Sequence, residues 1–150
     1  MNKTVIFDLD GTLALIDARR QLSTLPNGKI NWDVFFDADN IKLDLPNNPV
    51  IVAFKAMQKA GHRMVIFSGR SDATDKATFT WLDKFGIEPD MIKMRRAGSY
   101  IPDDKLKEAW LQDLLDDGED VFCTFDDRDK VVEMWRRNGI ACFQVAPGNF

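Results

Sequence analysis

The chain has 150 residues, 45% of them hydrophobic and 29% charged, with a formal net charge of −4. That balance fits one soluble globular domain and excludes a disordered segment. No run approaches the roughly 18 apolar residues of a membrane span, and an acidic chain lacks the basic face that grips a long nucleic-acid track.

The first predicted strand, Lys3–Leu9, meets Asp8 too early to be a signal peptide, and the chain reads as cytoplasmic. An irregular stretch follows, Leu13–Asn48, in which "NWDVFF" reads as a helical turn and "LPNNP" as a turn. At about 35 residues it is long for a connection, so it is either functional or a small inserted cap. Pro49–Ala60 reads as a helix with Pro49 in its first turn and Gly61 closing it. Strand Arg63–Ser68 comes next, then a helix over Asp72–Phe85 with Ala77, Trp81, Leu82 and Phe85 at helical intervals. Strand Asp90–Met94 leads to helix Pro102–Leu115, whose Leu106, Ala109, Trp110 and Leu114 share a face. Strand Asp120–Phe125, helix Asp129–Arg137 ended by Gly139, and strand Ile140–Val145 complete the chain. This alternation predicts an α/β fold with a parallel sheet covered on both faces and right-handed crossovers, forming a single domain over 1–150. Cys123 and Cys142 lie in apolar strand-like runs without CxxC spacing and read as buried reduced thiols. His62, the only histidine, reads as a solvated turn residue.

The chemistry concentrates where strands end. Asp8 and Asp10 sit at the carboxyl end of the first strand, the edge at which open α/β sheets bind ligands. The fourth strand ends likewise, in Asp126 and Asp127. If those strands are neighbours, four carboxylates converge, and unpaired they raise one another's pKa. A hard divalent cation resolves the conflict, and an all-oxygen set with neither thiolate nor imidazole suits Mg²⁺. Asp8, Asp10, Asp126 and Asp127 are therefore the expected metal residues. Alternation along an extended strand points Asp8 and Asp10 the same way, unless the turn at Gly11 re-aims Asp10. One of the pair then attacks phosphorus while the other shuttles a proton. Thr12 offers a hydroxyl, and Ser68 with the Gly69 amide in "FSGRS" can hold phosphate oxygens. Lys105 or Lys107 supplies the neutralising cation.

With these motifs the chain resembles the haloacid dehalogenase superfamily of phosphotransferases. Asp8-Leu-Asp10-Gly-Thr, Ser68-Gly-Arg, a helix lysine and Asp126-Asp127 match its four motifs. The resemblance implies a Rossmann-like sheet of order 3-2-1-4-5. More narrowly, "DDRDKVVEMWRRNGIACFQVAPGNF" and "GHRMVIFSGRSDATDKATFTWL" resemble the 3′-phosphatase domain of polynucleotide kinase/phosphatase enzymes. That likeness implies roles for Arg19, Arg70 and Asp103, and selects Lys107 over Lys105. The family pattern has aspartate where Ser99 stands and arginine where Ile101 stands, and no GxxxxGK[ST] loop occurs in the chain.

A small cap leaves the pocket open to a chain end. Arg19, Arg20 and Arg70 are candidates for holding the scissile or a neighbouring phosphate. Arg128, counted with the substrate side, is better placed to fix the geometry of the metal aspartates. Trp32, Phe35 and Phe36 read as cap packing, with base stacking as the alternative. The expected activity is a Mg²⁺-dependent phosphatase acting on 3′-phosphate ends of nucleic acid or on nucleotides, alongside a separate kinase or ligase partner. A general small-molecule phosphomonoesterase and a phosphoacceptor signalling module are the alternatives.

Overall fold

In the computed structural model, which describes residues 3–150, the first strand β1 (Thr4–Phe7) is completely buried and lies at the centre of a five-stranded parallel sheet. Its neighbours are β4 (Arg63–Ser71) and β6 (Val121–Asp126), flanked in turn by β5 (Met91–Arg95) and β7 (Ala141–Gln144). The order β5-β4-β1-β6-β7 is the 3-2-1-4-5 arrangement of the five long strands, renumbered by two short strands between them. Those short strands, β2 (Ala14–Leu15) and β3 (Leu45–Pro46), pair antiparallel in a sheet of their own.

Alternation along β1 divides the core. Val5 and Phe7 face one side, with Leu9 continuing beyond the strand, and pack with Ile51 and Phe54 of α4 (Asn48–Lys59) and Trp81 and Leu82 of α5 (Asp75–Lys84). Ile6 faces the other side, with Leu111 and Leu114 of α6 (Asp103–Asp116) and Val131, Met134 and Trp135 of α7 (Asp129–Arg137). Each such side chain contributes about 2 kcal/mol of burial, which is why β1 shows no polar face. The odd-even alternation also carries function: Asp8 continues the Ile6 face and so emerges on the α6 side.

The predicted α7 matches the observed helix residue for residue, and the other long elements shift by one to three residues. The helix expected over Asp72–Phe85 opens instead with a 3₁₀ turn, Asp72–Thr74. Ser71 caps that turn by accepting the Ala73 N–H, which ends the preceding strand and starts a new axis. The Leu13–Asn48 stretch is more structured than expected. Besides the anticipated turn α2 (Trp32–Phe35), it holds α1 (Asp17–Ser23) and α3 (Ala38–Ile41) between the two short strands. Phe35 and Phe36 pack edge to face at 5.0 Å, and Trp32 stacks on Phe36 at 5.8 Å. Both cysteines are buried and unpaired. His62 is half-buried, stacked on Phe122, with Nδ1 lacking a partner among the described residues, so it is less solvated than expected. No helix among the described residues is long and apolar enough to cross a membrane.

Candidate active site

Parallel pairing brings the ends of β1 and β6 level. Phe7 lies opposite Phe125, and the Asp8 N–H donates to the Phe125 carbonyl at 2.9 Å. The next residues on each strand are the acids. Asp8, Asp126 and Asp127, all buried, each present a carboxylate oxygen within 4.8 Å of the others. Asp8 accepts from Thr12 Oγ1 at 3.0 Å on one oxygen and from Lys107 Nζ at 2.8 Å on the other. Asp126 is more heavily bound: Lys107 at 3.2 Å, the Trp135 indole at 3.3 Å, and the N–H groups of Asp127 and Arg128. Asp127 rests against Gly11, where an added Cβ would collide with its carboxylate; Gly11 also holds φ +82°. A side chain at position 11 would thus be both strained and in the way.

Electrostatics mark this cluster as short of positive charge. Burial, reinforced by Asp126, raises the Asp8 carboxyl well above its ordinary range, and Lys107 only partly opposes this. Burial also lifts Asp127 to about 6, with Asp126 adding to the rise. Lys107 is itself buried, which alone would favour its neutral form, but Asp103, Asp126 and Asp8 outweigh this and raise it well above the lysine norm. Three oxygen ligands of this kind, two held reluctantly as anions, fit a hard divalent cation.

Asp10 departs from expectation. Its carboxylate does not join the other three, so four converging acids become three. The tight turn after β1 closes with the Gly11 N–H donating to Ala14 and the Thr12 N–H to Leu9, and it turns Asp10 towards the inserted segment. There Asp10 Oδ1 accepts from Arg19 Nη2 at 2.6 Å, Arg70 Nη2 at 2.6 Å and Arg70 Nε at 2.9 Å. Burial would raise this carboxyl, but Arg70 and Arg19 overcome it and pull it down to about 2.

This also corrects the reading of the arginines. Arg19 and Arg70 are completely buried and spend their donors inside the protein, on Asp10, Asp44, the Phe35 carbonyl and Thr78. They hold carboxylates, where sequence reading offered them as candidates for holding a phosphate. Arg128 is corrected as well. Its guanidinium donates to the Phe150 carbonyl at 2.8 Å, and only its backbone N–H reaches Asp126, at 3.4 Å. Arg20 lies over the Phe150 ring, 4.8 Å from its centroid.

Ser68 is buried and its Oγ accepts the Arg70 N–H at 3.2 Å. Gly69 leaves room for Asp103, whose Oδ1 would lie 2.5 Å from a Cβ there. That Oδ1 is buried without a hydrogen-bond partner among the described residues, while Oδ2 lies 3.7 Å from Lys107. Lys105 makes no ion pair among the described residues, whereas Lys107 is salt-bridged to Asp8, Asp103 and Asp126. Sequence reading missed Asp44, Thr78 and the Trp135 indole.

Residues 2–150 match the family described as the polynucleotide kinase PNKP phosphatase domain. The chain belongs to this family. It is a phosphatase domain of the haloacid dehalogenase class, and its α/β sheet is the fold of the solved phosphatases that it resembles. A bifunctional polynucleotide kinase/RNA ligase of Autographa californica nuclear polyhedrosis virus is 30% identical over 137 residues, covering 89% of this chain and 18% of that protein. A chain of the Pnkp1/Rnl/Hen1 RNA repair complex superposes with a TM-score of 0.80 at 33% identity, covering 99% of this chain and 44% of that one. The present chain therefore spans less than half of these two relatives. The class C acid phosphatase of Bacillus anthracis, with tungstate bound, shares the fold at a TM-score of 0.66 and 17% identity, over 99% of this chain and 68% of that one.

Proposed function

We propose that this phosphatase is Mg²⁺-dependent, works through an aspartyl-phosphate on Asp8, and removes 3′-phosphate from polynucleotide ends. The observation that carries the reading is the separation of two acids two residues apart. Asp8 lies with Asp126, Asp127 and Lys107, and Asp10 is held aside by its own arginines.

Asp8, Asp126 and Asp127 would hold the metal; Asp127, which has no lysine or arginine partner among the described residues, is the freest of them. When bound, Mg²⁺ supplies the positive charge that lets a carboxylate approach a phosphate. Asp8 attacks phosphorus as the bond to the leaving oxygen breaks, and water then cleaves the acyl phosphate. Lys107 neutralises the phosphoryl oxygens, with the Ser68 hydroxyl and the Gly69 amide beside it. Asp10 gives a proton to the leaving oxygen in the first step and takes one from water in the second. Its arginines keep it charged at rest; a phosphate bound beside it raises its affinity for a proton.

The polynucleotide assignment draws on the relatives, one named a polynucleotide kinase/RNA ligase and one part of an RNA repair complex. The same relatives support a kinase or ligase working alongside this domain. Two unpaired buried cysteines suit a reducing compartment such as the cytoplasm. The test compares kcat/KM with Mg²⁺ for a 3′-phosphorylated oligonucleotide, 3′-mononucleotides and sugar phosphates. We expect the oligonucleotide to lead. Equal values across the three would favour a general phosphomonoesterase, and full turnover in excess chelator would remove the metal.

A further inference from the structure

One buried acid has no part in the chemistry described so far. Asp44 lies between α3 and β3, and its side chain is wholly buried. Its Oδ1 accepts from Arg19 Nε at 3.0 Å, and its Oδ2 from Arg19 Nη2 at 2.8 Å and Arg70 Nη2 at 3.0 Å. The first two form a fork-on-fork contact that fixes the plane of the Arg19 guanidinium. The Asp44 backbone is fixed as well, its carbonyl accepting from the Trp81 indole at 3.0 Å. Thr78 Oγ1 accepts from Arg70 Nη1 at 3.1 Å, and the Phe35 carbonyl from Arg19 Nη1 at 3.0 Å.

We propose that Asp44 is a positioning residue for the reaction: by holding Arg19 and Arg70 it fixes the Asp10 carboxylate so that one oxygen faces the substrate's leaving group. The argument is geometric. The donors directed at Asp10 all reach Oδ1, at 2.6, 2.6 and 2.9 Å. Oδ2 accepts none among the described residues, and the Asp10 side chain is 20% exposed, so Oδ2 is the oxygen open to a ligand. Two arginines and two aspartates also sum to zero charge. With Asp44 gone, two buried guanidiniums would share one carboxylate, an uncompensated charge that the interior tolerates poorly. The arginines would then shift, and Asp10 with them.

This inference rests on the phosphatase reading above. The experiment measures kcat/KM, which reports formation of the phosphoenzyme, for wild type and Asp44→Asn on two substrates. A 3′-phosphorylated oligonucleotide has a leaving oxygen that needs a proton; p-nitrophenyl phosphate releases a phenolate that does not. We expect Asp44→Asn to lose roughly a hundredfold on the oligonucleotide and under about tenfold on p-nitrophenyl phosphate. Equal losses on both, or none on the oligonucleotide, would overturn the proposal. If Asp44→Asn gives no cooperative melt, Trp81→Phe removes the hydrogen bond to the Asp44 backbone, together with part of the buried indole, and leaves every side-chain donor of Asp44 in place. It should show the same selectivity in smaller measure, and an unchanged substrate ratio there overturns the proposal. Wild-type inactivity on both substrates would instead reject the phosphatase reading.

Discussion

The Lys107 ammonium donates to Asp8 Oδ1 at 2.8 Å across 99 residues of chain. This single bond ties the N-terminal half of α6 to the end of β1, and Lys107 at 3.2 Å from Asp126 ties both to β6. Lys107 is fully buried, so its charge acts in a low-dielectric setting with three carboxylates around it. Lys107→Met should therefore cost about 3 kcal/mol of stability, by leaving buried acids unpaired, and lower kcat more than roughly a hundredfold. Thermal melts with and without Mg²⁺ check the first figure, and phosphate release checks the second.

Asp8→Asn should abolish turnover without weakening the fold, since it removes a buried anion whose burial is costly. We expect a melting temperature at or above that of the parent in metal-free buffer. Residual turnover near the parental rate would rule out covalent catalysis by Asp8.

Asp127 supplies a pH signature. Between the ordinary carboxylate value near 3.8 and about 6, the metal-free folded chain keeps a proton on Asp127 that the unfolded chain releases. Stability from this group therefore falls as pH rises through that interval. Asp127→Asn should stabilise the metal-free protein at pH 7.5 by up to about 3 kcal/mol, give little gain at pH 4, and lose the gain when Mg²⁺ is added. An equal gain at both pH values would show that charge is not the cause.

Gly11→Ala joins two faults, a left-handed backbone and a collision with the Asp127 carboxylate. We expect a loss of about 1–3 kcal/mol and weaker Mg²⁺ binding by calorimetry, because Asp127 must move. Unchanged Mg²⁺ affinity would separate Asp127 from the metal.

Much of this was legible in the sequence because apolar runs stop abruptly at acids. Val5, Ile6 and Phe7 read as a buried strand with the acids after them at its carboxyl end, while the strand's place in the middle of the sheet came from family likeness. Helix α7 was equally plain, with its apolar stripe and Gly139. The side-chain direction of Asp10 was not, because strand alternation lapses in the turn at Gly11. Asp44 was hidden for another reason. It is 3% exposed, while its neighbours Leu43 and Leu45 are 44% and 64% exposed, the reverse of what hydrophobicity predicts. Only the waiting arginines make the inside position favourable, and both come from elsewhere in the chain. Arg19 came into view through family likeness, since nothing in "DARRQLS" distinguishes it from Arg20 beyond helical phase.

The wiring of the inserted segment limits how the enzyme can move. Swinging α1 and the Asp44 segment away from the sheet would pull two wholly buried guanidiniums off two carboxylates. Such a gate would be slow and expensive to open at every cycle. Substrate and product should instead pass over a standing doorway, and kcat should be indifferent to solvent viscosity.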